Sequence, residues 1–284
     1  MKKILCVVIC VALLCASFVV ASYAQQEEEL VPEWLVVLGD SIAAGHGVTL
    51  EEGYAFLLAQ ATGLELQNFA FDGETSASLY LEVTQNEFTR YLIADANIII
   101  VSIGGNDFLL AEGLDGLLSL IVRGVRGDHS FMPQIWETFA ENFAAIITEI
   151  RYLNPDATLI VQTVYNSAPP LPSVRQAFGI AMRGINSVIY AYLEENPGAF
   201  LIADIYSAFE GRNGTIARDM VHPSVAGHAI IATVILDLIA GTETPLPRAS
   251  LTLDVLEFVF RPALWLVDLL LIRVGLRLLG PVFF

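Results

Sequence analysis

The chain has 284 residues, with 31 aspartates and glutamates against 14 lysines and arginines, for a formal net charge of −17. That balance excludes nucleic-acid binding through phosphate neutralisation and suits a self-repelling surface. Its cysteines, Cys6, Cys10 and Cys15, all fall in the first two dozen residues.

Met1-Lys2-Lys3, an apolar run from Ile4 to Val20 and a small-x-small close at Ser22-Tyr23-Ala24 predict a secretory signal over 1–24. None of the three cysteines follows a lipidation pattern. The processed chain is therefore expected to carry no cysteine, which excludes disulfide and thiol chemistry. It would keep 12 arginines against 31 acidic residues, a net charge of −19, and the expected location is secreted or cell-envelope. The remainder up to Pro245 is long enough for one large domain with a full core.

Leu35-Val36-Val37-Leu38-Gly39-Asp40-Ser41 is a short β-branched and apolar run that stops on a turn, as a buried parallel strand does. In α/β folds such turns lift side chains onto the carboxyl edge of the sheet. Tyr54 to Thr62 has helical spacing and stops at Gly63; Leu64 to Ala70 reads as a second strand and Ser76 to Ala94 as a helix. Asn97 to Ile103 is a third strand, ending on Gly104-Gly105-Asn106-Asp107. A glycine-punctuated apolar stretch, Phe108 to Gly127, is read as an ordinary buried helix in preference to a lid or acyl-binding wall. A long helix from about Pro133 ends at Leu153 before Asn154-Pro155, and Thr158 to Tyr165 is a fourth strand. Ser173 to Glu195 reads as a helix, Ala199 to Asp204 as a fifth strand and Val225 to Ala240 as a last helix. Strands alternating with helices require a parallel sheet covered on both faces.

The ends of these strands carry chemistry. Ser41 follows the first strand, Asp72-Gly73 the second, and Asn106-Asp107 the third. Asp219 and His222 are three residues apart, close enough for the carboxylate to orient the imidazole. Acyl transfer by serine needs a nucleophile, a base of near-neutral pKa, a carboxylate to fix the base's tautomer, and donors for the oxyanion. A serine after a strand otherwise serves as a helix cap; Asp219 and His222 tip the reading to catalysis. A metal pair at Asp219 and His222 is disfavoured because no third ligand cluster accompanies them.

Gly39-Asp40-Ser41, Gly73, Gly105-Asn106-Asp107 and Asp219-x-x-His222 resemble, in order and spacing, the four blocks of the GDSL, or SGNH, esterase and lipase family. The resemblance spans about Trp34 to Ala240. It implies an α/β, flavodoxin-like three-layer sandwich with a five-stranded parallel sheet. It also implies Ser41 as nucleophile, His222 as base, Asp219 as its orienting acid, and Ser41 N–H, Gly73 N–H and the Asn106 amide as the oxyanion hole, with no cofactor and no metal. The Gly-x-Ser-x-Gly elbow of α/β-hydrolases is absent, because Ala43 stands two after Ser41. Asp40 and Asp107 are expected to bond backbone N–H groups of their own turns. His46 either lines the pocket or lies on the surface, and His129 and His228 have no assigned role.

From Leu251 to Phe284 the chain turns strongly apolar, but Asp254, Glu257, Arg261, Asp268, Arg273 and Arg277 interrupt it too often for a spanning helix. Residues 246–284 are expected to attach to a membrane surface, in preference to folding over the core or forming a dimer interface. The expected activity is hydrolysis of acyl esters, with lipid or lysophospholipid favoured by the apolar insertion and tail. A carbohydrate or aryl esterase, or deacetylase, is the alternative. An envelope-anchored binding protein without activity stands outside the enzymes.

Overall fold

The computed structural model describes residues 33–113 and 116–242; the expected signal at 1–24 and the tail at 246–284 lie outside them. The first half runs β1 (Trp34–Gly39), α1 (Ser41–Ala44), α2 (Tyr54–Thr62), β2 (Glu65–Ala70), α3 (Ser76–Gln85), α4 (Glu87–Ala94), β3 (Ala96–Ser102) and α5 (Gly105–Leu109). The second runs α6 (Leu117–Val125), α7 (Met132–Leu153), β4 (Thr158–Gln162), α8 (Pro172–Glu195), β5 (Leu201–Ala203), α9 (Ile205–Phe209) and α10 (Val225–Ala240). The strands form one sheet in the order β2-β1-β3-β4-β5, with every pairing parallel. This is the flavodoxin-like order, and the direction of winding reverses at β1/β3, where such sheets open a crevice at their carboxyl ends.

Alternation along the strands builds two cores. Val36, Leu38, Ile99, Val101, Leu159 and Val161 face α3, α4, α7 and α8, meeting Leu79, Leu92, Phe139, Phe143 and Ile185. Leu35, Val37, Ile98, Ile100 and Ile160 face α2, α9 and α10, meeting Tyr54, Leu58, Phe209, Ile231 and Ile235. The expected three-layer α/β/α sandwich is thus present. Each of these aliphatic and aromatic side chains contributes roughly 1.5–3 kcal/mol by leaving water.

Three readings change in the structure. The helix expected over Ser76 to Ala94 is two, because the Asn86 side chain accepts from Phe88 N and Thr89 N and so starts a new helix within the old period. The fourth strand stops at Gln162: the Asn186 side chain accepts from Val164 N at 2.8 Å and donates to Val164 O at 2.9 Å, taking that backbone out of the ladder. Within Phe108 to Gly127, α6 buries only one stripe. Leu120 and Gly124 face inward and a Cβ on Gly124 would stand 2.9 Å from Ala177 Cβ of α8, while Leu118, Val122 and Val125 are exposed. Among the described residues no helix is long and apolar enough to cross a membrane.

Candidate active site

Ser41 is the first residue of α1, directly after β1. Gly39 turns the chain at φ +133, and Asp40 caps the helix by accepting from Ile42 N at 3.0 Å. A residue at this position has no carbonyl one turn back inside its helix, so the Ser41 N–H is free of intrahelical duty. Asp40 is buried, and burial is the main cause that raises its pKa from 3.8 to about 7; the Ile42 N–H opposes this and the nearby Asp107 charge adds to it.

His222 Nε2 lies 2.9 Å from Ser41 Oγ, and His222 Nδ1 lies 2.8 Å from Asp219 Oδ2. The other oxygen of Asp219 accepts from Val221 N and His222 N, each at 3.0 Å. Partial burial pushes the Asp219 pKa up, but these backbone N–H groups and the His222 ring outweigh it and bring the value down to about 2. Asp219 is then ionised and can only accept. The Nδ1 proton therefore points at Asp219 and leaves Nε2 as acceptor for the Ser41 hydroxyl.

The segment that carries this pair is not a helical turn. Met220 adopts φ 61, the only positive φ outside glycine among the described residues, and so curls Asp219 back under His222. Ala217 N donates to His222 O at 2.8 Å, and Tyr165 Oη donates to Val221 O at 2.7 Å. Tyr165 had no sequence signal as a support for this loop.

Gly73 lies at φ +82 in the turn after β2. Asn106 opens α5 after β3, and its Nδ2 donates to Glu74 O at 2.9 Å, which ties it to the residue following Gly73. With the strand order β2-β1-β3, Gly73, Ser41 and Asn106 stand at the carboxyl ends of three adjacent strands. Asp40 bonds its own turn as expected; Asp107 bonds its own backbone N–H too, and reaches beyond its turn as well. Asp107 accepts from the backbone N and the hydroxyl of Ser76, and that hydroxyl also accepts from Asn142 Nδ2. Asp107 thus fastens the Asn106 turn to the start of α3, where Ser76 offers it two donors. Burial raises its pKa, against the bonds from Ser76.

His46 lies at the site, not apart from it: its Nδ1 is 2.8 Å from Asp72 Oδ2 and its ring lies against that of His222 at a tilt. His228 is fully buried behind the site, accepting from Tyr54 N at 3.3 Å; burial is the main cause that lowers its pKa from 6.5 to about 4. His129 takes no part.

Residues 37–230 match the GDSL-like lipase/acylhydrolase family. An uncharacterised protein of Bacillus subtilis (strain 168), YpmR, is 26% identical over 231 residues, covering 77% of this chain and 87% of its own. The lipase Lip_vut3 from a goat rumen metagenome superposes with a TM-score of 0.59 at 19% identity, over 72% of this chain and 96% of that one. Phospholipase A1 from Streptomyces albidoflavus NA297 gives 0.58 at 18% identity, over 72% and 99%. The two structures share the fold, and the family match spans most of the domain from β1 into α10. The chain belongs to the GDSL-like lipase/acylhydrolase family and is a carboxylic ester hydrolase.

Proposed function

We propose that the chain hydrolyses acyl esters through Ser41, His222 and Asp219. The hydrogen-bonded line from Asp219 through both nitrogens of His222 to Ser41 Oγ is the observation that carries this reading. Ser41 Oγ attacks the ester carbonyl carbon as its proton passes to His222 Nε2. The oxyanion is met by Ser41 N–H, Gly73 N–H and Asn106 Nδ2. The alkoxide leaves with the proton from His222, and a water activated by the same ring then frees the acid and restores Ser41.

Lipid or lysophospholipid esters are the favoured substrates. Exposed Phe71 adjoins Asp72-Gly73, and exposed Met220 and Val221 separate Asp219 from His222, so the segments bearing the site also present apolar surface beside it. Asp219 is 40% exposed even within the relay, an openness that favours the alternative of a bulky carbohydrate ester. A panel of p-nitrophenyl esters of rising chain length, beside lysophospholipid and acetylated sugars, separates the two. Preference for long acyl chains and lysophospholipid supports the first reading, and preference for acetylated sugars overturns it. Ser41→Ala should lower turnover by about 10³-fold or more on every substrate accepted.

Export directed by 1–24 and membrane-surface attachment by 246–284 complete the proposal. Apolar attachment should resist high salt, so the processed chain is expected to float with liposomes while a chain ending at Ser250 does not.

A further inference from the structure

His46 stands outside the line from Asp219 to Ser41, yet it touches three parts of the site. Its backbone N donates to Ser41 O at 2.9 Å. Its Nδ1 pairs with Asp72 Oδ2 at 2.8 Å, and Asp72 is the chain neighbour of Gly73. Its ring lies against that of His222, with centroids 4.2 Å apart and planes 33° from parallel. The backbone carries it there: Gly45 and Gly47 take φ 83 and 90, and a Cβ on Gly47 would stand 3.7 Å from His222 Cβ and 3.9 Å from Asp219 Oδ2. The loop after the nucleophile therefore doubles back across the acid–base pair.

We infer that His46 is a positioning residue for the hydrolysis, holding the ring plane of His222 and the turn of Gly73 in register with Ser41. The inference rests on the roles proposed above for Ser41, His222 and Gly73. Among the described residues the His222 ring is hydrogen-bonded at its edges, through Nδ1 to Asp219 and Nε2 to Ser41. Two edge bonds restrain the ring in its plane but weakly against tilt, and a flat neighbour on its face supplies the missing restraint. The need is greatest once Ser41 is acylated. Nε2 has then lost its hydroxyl partner, and the ring must still aim at the incoming water. The Asp72 carboxylate fixes His46 as Asp219 fixes His222, with the same Nδ1-to-oxygen distance of 2.8 Å, and carries the restraint on to Gly73.

The test is steady-state hydrolysis of p-nitrophenyl butyrate by the full processed chain, with rates counted per site titrated by a fluorophosphonate and, for Ser41→Ala, per mole of protein. The variants are His46→Ala, His46→Phe, Asp72→Ala, the His46→Ala/Asp72→Ala pair and Ser41→Ala. His46 is about half exposed, so the fold should survive; thermal unfolding of each variant checks this. His46→Ala is expected to lower kcat by about 10-fold with KM changed less than about 2-fold, because misplacement of the base costs turnover and not binding. His46→Phe keeps a flat ring against His222 and should recover the larger part of the loss. The double variant should be no slower than His46→Ala, since Asp72 acts through His46. Unchanged kcat in His46→Ala, a His46→Phe no better than alanine, or double-variant losses that multiply would each overturn the inference. Ser41→Ala that stays active would overturn it together with the proposed function, whereas Ser41 dependence with indifference to His46 would overturn this inference alone.

Discussion

The carbonyl oxygen of Ser102 lies 1.9 Å from where a Cβ on Gly39 would stand. Gly39 ends β1 beside Ser102 at the end of β3, and its φ of +133 is a conformation that L side chains rarely adopt. Ser102 O also accepts from Asp40 N at 3.1 Å, so the close approach is what delivers Asp40 and Ser41 to the sheet edge. Gly39→Ala must push two central strands apart or break that bond. A loss above about 3 kcal/mol is expected, read as a lower urea midpoint or as failure to recover soluble protein. A folded, fully active Gly39→Ala enzyme would show that the turn is free to rearrange.

Asn106 should act on the transition state. Its amide has two hydrogens, one of them committed to Glu74 O, and it follows β3, the strand paired with the β1 that leads into Ser41. Asn106→Ala is expected to reduce kcat by about 10²-fold with little change in KM. A change confined to KM would make Asn106 a substrate-binding residue.

Stability should carry the signature of Asp40. Its carboxyl has a pKa of 3.8 free and about 7 when folded, so between these values the folded chain holds a proton that the unfolded chain has released. The stabilisation is complete below the lower value and lost as pH rises through the upper one, by up to about 1.4 kcal/mol per pH unit. Asp107, raised in the same direction, adds to the trend. His228, lowered to about 4, opposes it on the acid side. Comparison with Asp40→Asn isolates the Asp40 share, because asparagine also caps α1 but does not titrate. From about pH 5 to about pH 8 the wild type should lose stability relative to Asp40→Asn, seen as converging or crossing urea midpoints. A constant difference between them would place the Asp40 proton elsewhere.

Met220 bends the segment between Asp219 and His222 with φ 61, a conformation that a β-branched residue tolerates worst and glycine best. Met220→Val should destabilise by about 1–3 kcal/mol and slow turnover, since the turn aims the Asp219 carboxylate. Met220→Gly should keep turnover within about threefold of wild type, the conformation being open to it. Equal loss in both variants would assign the effect to the exposed methionine side chain.

Ser41, Gly73 and Asn106 stand out in the sequence because each follows a strand, and parallel strands bring their carboxyl ends to one edge; Asp219 and His222 stand out by their spacing in the loop before α10, and the fold brings that loop to Ser41. The first, third and fourth strands were legible as β-branched runs, whereas β2, Glu65–Ala70, carries no β-branched residue. What escaped depends on contacts that no spacing encodes. Asn86 sits in an unbroken helical period, and only its side chain's turn onto Phe88 N and Thr89 N shows the break. Asp107 reaches Ser76, 31 residues away, and His46 reaches Asp72, 26 residues away, because turns return the chain on itself. His228 lies three residues into the last helix, and its complete burial against Tyr54 follows from how α2 and α10 pack.

The central claim is that His222, oriented by Asp219, makes Ser41 the nucleophile. Intact-protein and peptide mass spectrometry after reaction with a fluorophosphonate tests it directly, since only an activated serine reacts quickly. The predicted result is a single adduct on the peptide carrying Ser41, formed in step with loss of esterase activity and slowed by about 10²-fold or more in His222→Ala. An adduct on another residue, or full inactivation with Ser41 unmodified, would contradict it.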